Sequence, residues 1–165
     1  MPQEFSMQEA IRLAIQTEKN IGAFYAHAAD ITKDERAKKV FTTLAREEAE
    51  HASHFFHLYT GADLGTFEEF MASPAELDTV MLQELDKALN ENVHERKAME
   101  IAMQEEQDLE KKLKMTAEKI VDPGVRAVFD RMAKETADHY AIIESEYAYL
   151  MAMVHETDMD TYVRE

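Results

Sequence analysis

The sequence predicts an all-α protein, an antiparallel four-helix bundle in which two similar helix pairs are joined by a long crossover between helices two and three. Apolar residues recur at helical spacing, and residues 33–59 contain neither glycine nor proline. Side chains that favour helix starts precede the apolar stripes. The chain also repeats itself at the scale of a helix pair, which is typical of a bundle with internal pseudo-twofold symmetry.

The repeat has an offset of 88 residues and runs without a gap, so that residues 10–57 fall on residues 98–145. The matched positions include Ala10/Ala98, Gln16/Gln104, Glu18/Glu106, Phe41/Phe129, Glu47/Glu135 and His51/His139. Most matches are small, apolar or potential metal-binding residues, which are the types expected on an inward helix face, whereas charged surface positions mostly differ. We therefore expect helices one and two to superpose on helices three and four.

The first helix pair is predicted from its start signals. Residues 6–9 form a capping box that opens helix one, which is expected to end near residue 31. Glu18 falls inside the apolar stripe of this helix, where a carboxylate is costly to bury without a partner. Residues 32–35 form a second capping box for helix two, and Gly61 is its predicted stop.

The crossover and the second helix pair follow from the same signals. Residues 61–73 contain two glycines and no sustained periodicity, so they are predicted to form the long crossover between the two helix pairs, with a helical turn near 67–71. A shorter helix is expected at about 74–89 because it opens with a serine cap and a proline. The main third helix is predicted at about 93–121, and the fourth at about 123–155.

Length and composition narrow the class of protein. The 165 residues suffice for a full core, and we predict a single domain over 1–165. The net charge of −16 argues against nucleic acid and anionic membranes as partners and suits a protein that attracts cations. The absence of cysteine excludes disulfides, Cys-ligated metals and thiol catalysis. No secretory signal and no apolar run of about 18 residues is found, so the cytoplasm is the expected location.

Candidate metal ligands lie on the predicted inward faces. Glu48 and His51 are three residues apart on helix two and share a face, so that a carboxylate oxygen and an imidazole nitrogen can bind one metal ion. Such a pair also occurs by chance on a solvated helix. The repeat favours the metal-binding interpretation, because His139 matches His51 and Glu106 matches Glu18.

On these residues the chain resembles the rubrerythrin branch of the ferritin-like di-iron proteins, over roughly residues 6–149. That architecture draws one Glu from each of two helices and a Glu-x-x-His from each of the other two. The resemblance implies a ferritin-like bundle that binds two iron ions, with zinc or another divalent metal as an alternative. It implies as metal ligands Glu18, Glu48, His51, Glu106 and His139, and it places Tyr25 beside the metal pair as a catalytic residue.

The chain departs from the family pattern in its second half. Thr136 stands where the fourth carboxylate is expected, three residues before His139. Glu135 is adjacent, and we predict that it turns inward beside His139 as a replacement metal ligand. Four carboxylates would balance two ferrous ions, whereas three leave the site one negative charge short. Leu109 also replaces a further carboxylate of the family, and no cysteine is present for an electron-carrier module.

The resemblance implies a redox enzyme that reduces hydrogen peroxide or oxygen with electrons from an external electron-transfer protein, in a homodimer. Tyr25 is expected either to hydrogen-bond a ligand carboxylate or to hold the peroxide oxygen. Two alternatives stay open. The protein could oxidise ferrous iron and hand it on, or it could be a structural bundle whose degenerate site holds zinc or no metal. Thr136 is the main argument for the last alternative.

Overall fold

The computed structural model describes residues 5–75, residue 83 and residues 94–163, with side chains in the last stretch described to residue 152. These residues form helices, turns and loops and no strand, which confirms the predicted all-α bundle. The helices with described bounds are α1 (Met7–Ile31), α2 (Glu35–Phe56), α3 (Phe67–Ala72), α4 (His94–Lys119) and α5 (Pro123–Val163). The helix predicted at about 74–89 lies almost entirely outside the described residues.

Helices α1 and α2 form an antiparallel pair joined by a three-residue turn. Ser6 caps α1 as predicted, and the helix ends at the predicted residue. The cap of α2 is Asp34, whose carboxylate accepts the backbone N–H of Ala37 at 3.0 Å, and not Thr32. Thr32 instead ends α1, because its backbone N–H and its hydroxyl both donate to the Ala28 carbonyl, at 3.0 and 2.6 Å.

Helices α4 and α5 form the second antiparallel pair. Asp122 accepts the backbone N–H groups of Gly124 and Val125 at 2.9 and 3.1 Å, which satisfies two donors in the first turn of α5. Helix α5 continues to Val163, beyond the predicted end near residue 155. No glycine or proline follows Gly124, so nothing in the sequence forces an earlier stop.

The crossover leaves α2 earlier than predicted. The helix ends at Phe56 rather than near Gly61, because Leu58 and Tyr59 donate to the carbonyls of Phe55 and Phe56 and tighten the last turn. The predicted helical turn near 67–71 is present as α3.

A buried lysine of α1 holds the crossover against the bundle. Lys19 donates to the carbonyl of Phe70 at 2.5 Å and to the hydroxyl of Ser73 at 2.6 Å, and it lies 4.3 Å above the Phe70 ring. These contacts satisfy the ammonium group away from water. They fix the carboxyl end of α3 directly beside the helix that carries Glu18.

The two helix pairs meet where α1 packs on α4 and α2 packs on α5. A single apolar cluster from both pairs fills the interior, and burying each large side chain in it contributes about 2 kcal/mol. Its largest members are Ile11, Ile15, Phe24, Tyr25, Phe41, Leu44, Phe55, Met99, Phe129, Met132 and Ile143. None of the helices in the described part of the chain has the length and apolar character needed to cross a membrane.

Candidate metal centre

Three carboxylates and two imidazoles converge inside the bundle. The carboxylates are fully buried and the imidazole residues are 3% exposed. The residues are Glu18 from α1, Glu48 and His51 from α2, Glu106 from α4, and His139 from α5. Each of the four long helices therefore contributes, and the inward positions that the repeat matches lie close together.

Glu48 faces both imidazoles. Its Oε1 atom is 2.9 Å from Nδ1 of His139, and its Oε2 atom is 3.7 Å from Nδ1 of His51. The two rings are almost parallel, with centroids 5.0 Å apart. A Cβ atom at Gly22 of α1 would stand 3.4 Å from that of Glu48, which is an ordinary van der Waals contact. Helix α1 therefore packs directly against α2 beside the central carboxylate.

The remaining two carboxylates flank the rings in a pseudo-symmetric way. Glu18 Oε2 is 3.5 Å from Nδ1 of His51, and Glu106 Oε1 is 3.5 Å from Nδ1 of His139. Both imidazoles therefore turn the same nitrogen toward the carboxylates. The arrangement provides two neighbouring sets of donors, each with one imidazole and one carboxylate, and Glu48 is shared between them.

Several of the oxygen and nitrogen atoms that could bind a metal here have no hydrogen-bond partner. They are both oxygens of Glu18, Oε2 of Glu48, Oε2 of Glu106 and Nδ1 of His51. Unpaired buried polar atoms are costly and therefore rare in folded proteins. Glu48, His51 and His139 each offer a ligand atom within 4.8 Å of the others. Carboxylate oxygen with imidazole nitrogen is a donor set that suits divalent first-row metals, so the residues fit a metal centre.

The electrostatics of the cluster also favour a cation. Burial, followed by the negative charges of Glu18 and Glu106, raises the pKa of Glu48 well above its ordinary value. Burial alone would lower the pKa of His139, but its contact with Glu106 and the charge of Glu47 raise it. Without a cation, the charges of Glu18 and Glu106 repel that of Glu48 and favour its protonated form. A bound divalent metal relieves both effects.

Tyr25 is fully buried beside the carboxylates. Its hydroxyl donates to Oε1 of Glu106 at 2.6 Å, which is one of the two roles expected for it. Burial, followed by the charges of Glu106 and Glu48, raises the pKa of Tyr25 well above 10, so the phenol keeps its proton. The ring packs against Phe24 and Phe41, which fixes the direction of the hydroxyl.

Glu135 does not lie where we expected it. Its Oε2 atom is 2.9 Å from Nε2 of His51, and its Oε1 atom is 3.2 Å from Nε of Arg131. The carboxylate therefore contacts the far edge of the His51 ring instead of turning in beside His139. A helix advances about 100° per residue, so Glu135 leaves α5 on the outer side of the inward position that Thr136 occupies.

Glu47 is a residue that we did not assign to the site. Its Oε2 atom lies 2.8 Å from Nε2 of His139, which is the counterpart of the contact between Glu135 and His51. The signal was present in the repeat, because Glu47 matches Glu135. His54 and His57 are exposed, and Nδ1 of His57 faces the carbonyl of Ser53 at 2.7 Å, so neither belongs to the cluster.

A family model described as Rubrerythrin matches residues 9–147, which include the whole cluster. The chain belongs to the rubrerythrin family. No curated protein and no solved structure shows significant similarity to it. The family and the Glu/His cluster together indicate a metal-binding, ferritin-like protein.

The chain departs from the ligand pattern of ferritin-like di-iron proteins at Thr136. The residue is fully buried, but its hydroxyl donates to the Met132 carbonyl of the same helix at 2.7 Å and is thereby satisfied. Leu109 packs in the apolar core. The described residues therefore place three carboxylates inside the cluster, and Glu47 and Glu135 contact the imidazoles from outside.

Proposed function

We propose that the protein is a di-iron oxidoreductase that reduces hydrogen peroxide with electrons from a separate electron-transfer protein. The observation that carries this proposal is the pair of imidazoles with Nδ1 turned toward three buried carboxylates whose oxygens are largely without partners. Its place within a bundle of the rubrerythrin family supports iron as the metal. When bound, two ferrous ions supply the two electrons that convert one peroxide molecule, with two protons, into two molecules of water.

The positions of the side chains suggest how two ions would be held. Glu18 and His51 would hold one ion and Glu106 and His139 the other, and Glu48, whose two oxygens face the two rings, would be shared between them. Two ferrous ions bring four positive charges, while three carboxylates bring three negative ones. The uncompensated charge is expected to make the second ion bind more weakly than the first.

Tyr25 and the mouth of the site have separate roles in this proposal. The phenol holds Glu106 through its hydrogen bond and, with its raised pKa, stays a donor.

A surface cavity of about 230 Å³ reaches both histidine rings. Its remaining lining residues are Glu47, Glu50, Glu135, Asp138 and Ile142. A water molecule occupies about 30 Å³, so neutral hydrogen peroxide fits, whereas the carboxylates repel anionic substrates.

Oxidation of ferrous iron is the second candidate function. The acidic lining of the same cavity favours it, because a ring of carboxylates at the surface attracts divalent cations toward the cluster. In this alternative iron is the substrate and oxygen or peroxide the oxidant. The two candidates share one metal site and differ in whether iron leaves it after each turnover.

Metal content and single-turnover reactions test these candidates. Apoprotein is loaded with ferrous iron without oxygen, iron per chain is counted, and the visible spectrum is followed after stoichiometric peroxide or oxygen is added. Two irons per chain that peroxide oxidises much faster than oxygen, and that a reduced electron carrier restores, would support the peroxidase. Steady oxidation of excess ferrous iron would favour the second candidate. A protein that binds only zinc, or no metal, would contradict both.

A further inference from the structure

We propose that Glu47 and Glu135 are positioning residues that hold the two metal-binding imidazoles from outside, each acting on the histidine of the opposite helix pair. The inference rests on the proposed function, since it assumes that the cluster binds metal. Glu47 lies 2.8 Å from Nε2 of His139 and Glu135 lies 2.9 Å from Nε2 of His51. The residues of the two contacts match in the repeat, so the same type of contact is formed by both halves of the chain.

The contacts select the tautomer that a metal needs. A neutral imidazole carries a proton on one nitrogen and a lone pair on the other. A carboxylate beside Nε2 accepts the N–H there, which leaves the Nδ1 lone pair free for a metal ion. Nδ1 of His51 is buried and has no hydrogen-bond partner, which is what a nitrogen reserved for such a ligand would show. Nδ1 of His139 lies 2.9 Å from Oε1 of Glu48, the carboxylate that the two sets of metal donors share, so a metal ion would have to take the place of that contact.

Both contacts cross the interface between α2 and α5. Glu47 and His51 lie on α2, whereas Glu135 and His139 lie on α5. Each helix therefore supplies one imidazole and the carboxylate that fixes the other imidazole. Because the two helix pairs are separate hairpins, these crossed contacts fix the relative positions of the two sets of metal donors.

The two carboxylates, Glu47 and Glu135, differ in how far a neighbouring positive charge compensates them. Arg131 lies 3.2 Å from Glu135, whereas the matching position in the first half is Thr43, and no Lys or Arg in the described ranges pairs with Glu47. The two carboxylate side chains are about equally exposed, at 36% for Glu47 and 34% for Glu135. Glu47 therefore presents the less compensated negative charge, and its loss is expected to weaken metal binding more than the loss of Glu135.

Zinc and cobalt binding to the full-length apoprotein tests the inference without reference to turnover. Affinity is measured by competition with a chelator, and the visible spectrum of bound cobalt reports the coordination geometry. The variants are Glu47→Ala and Glu135→Ala, each with a Gln version whose amide oxygen can still accept the Nε2 proton. Glu50→Ala and Asp138→Ala are matched controls, because both residues line the same cavity and neither forms an ion pair with a His ring in the described chain.

We expect each Ala variant to lose about tenfold or more in metal affinity and to change the cobalt spectrum. The Gln variants should retain most of the affinity, and the controls should stay within about twofold of wild type. In NMR spectra of the zinc-loaded protein, the Nε2 proton of the affected histidine should be visible in wild type and lost to solvent exchange in the Ala variant. Circular dichroism checks that the variants are folded.

Two results would overturn the inference alone, with the metal site intact. One is wild-type affinity in both Ala variants, and the other is an equal loss in the two controls, which would indicate a general effect of negative charge. A wild-type protein that binds no metal would instead overturn the proposed function, and this inference with it.

Discussion

The Tyr25 hydroxyl donates to Oε1 of Glu106 at 2.6 Å, and this hydrogen bond joins α1 to α4 inside the metal cluster. Tyr25→Phe removes the donor and leaves a buried carboxylate oxygen with less stabilisation. Because hydrogen bonds to charged groups contribute about 1.5–3 kcal/mol, we expect a loss of that size in the free energy of unfolding of the apoprotein, measured with denaturant. The metal-loaded variant should keep its metal content but oxidise more slowly with peroxide.

The matched control for Tyr25 is Tyr147→Phe. Tyr147 donates to Glu100 at 3.0 Å, and it lies away from the metal cluster on a less buried surface. Its loss is expected to change the free energy of unfolding by about 0.5 kcal/mol or less. Equal effects of the two substitutions would show that the burial of Glu106 gives its hydrogen bond no special importance.

His51→Ala is expected to lower metal content much more than His54→Ala. Nδ1 of His51 faces Glu18 and Glu48 at 3.5 and 3.7 Å, whereas His54 is exposed on the same helix. Both variants lose one imidazole from α2, so they are matched in residue type and in helix propensity. Metal per chain after loading and desalting, measured by elemental analysis, distinguishes them. Equal losses would show that the assigned imidazole is not a ligand.

The convergence of the cluster could be predicted from the sequence because the repeat marks inward positions. Glu18 and Glu106, and His51 and His139, are identical across the two halves, and the structure brings all four together. Identity at equal spacing on two helix pairs is a strong indication of a shared face. The repeat therefore located these four residues, whereas Glu48, which falls on Thr136, was assigned from its spacing to His51 and from the family resemblance. Metal binding by all five stays a prediction.

The direction of Glu135 could not be predicted in the same way. Residues 135 and 136 are adjacent, and a long Glu side chain at the edge of a helix face can lean inward or outward. The outcome depends on His51, a residue of another helix, which offers its Nε2 atom at 2.9 Å. The sequence could not decide the cap of α2 for a similar reason. Both Thr32 and Asp34 can cap a helix, and only the geometry of the short turn selects Asp34.

Replacing the central carboxyl group should have opposite effects on the apoprotein and the metal-loaded protein. Glu48 is buried between Glu18 and Glu106, whose charges help to raise its pKa. Glu48→Gln keeps the shape and removes a carboxyl group whose burial beside two other carboxylates costs either repulsion or the uptake of a proton, so the thermal midpoint of the metal-free protein should rise. Metal should bind at least about tenfold more weakly, and the stabilisation by metal, about 2.7 kcal/mol at a hundredfold excess over Kd, should shrink accordingly. Thermal melts with and without chelator measure both effects.

The control for Glu48→Gln is Glu50→Gln on the same helix. Glu50 is exposed at the mouth of the cavity, so its substitution should leave both thermal midpoints nearly unchanged. A lower midpoint for metal-free Glu48→Gln than for the wild-type apoprotein would contradict the idea that the empty cluster is strained by carboxylate repulsion.

Thr136→Glu tests whether the cluster lacks one carboxylate. Thr136 is fully buried on α5, and its hydroxyl is satisfied by the Met132 carbonyl, so the wild-type residue adds no negative charge to the site. A carboxylate at this position would balance two ferrous ions, and we expect the second metal to bind about tenfold more tightly or better. The larger side chain and the added charge should together lower the stability of the apoprotein, because overpacking alone costs about 1–3 kcal/mol.

Thr136→Gln separates charge from size in this experiment. The amide has nearly the volume of the carboxylate, so both variants should lose similar stability from overpacking, but only Thr136→Glu should gain affinity for the second metal. Stepwise titration of the apoprotein with ferrous iron under anaerobic conditions resolves the two binding steps. If the two variants bind the second ion equally, the missing negative charge at position 136 does not limit metal binding. The remaining positive charge of the second ion must then be neutralised by groups other than the three buried carboxylates.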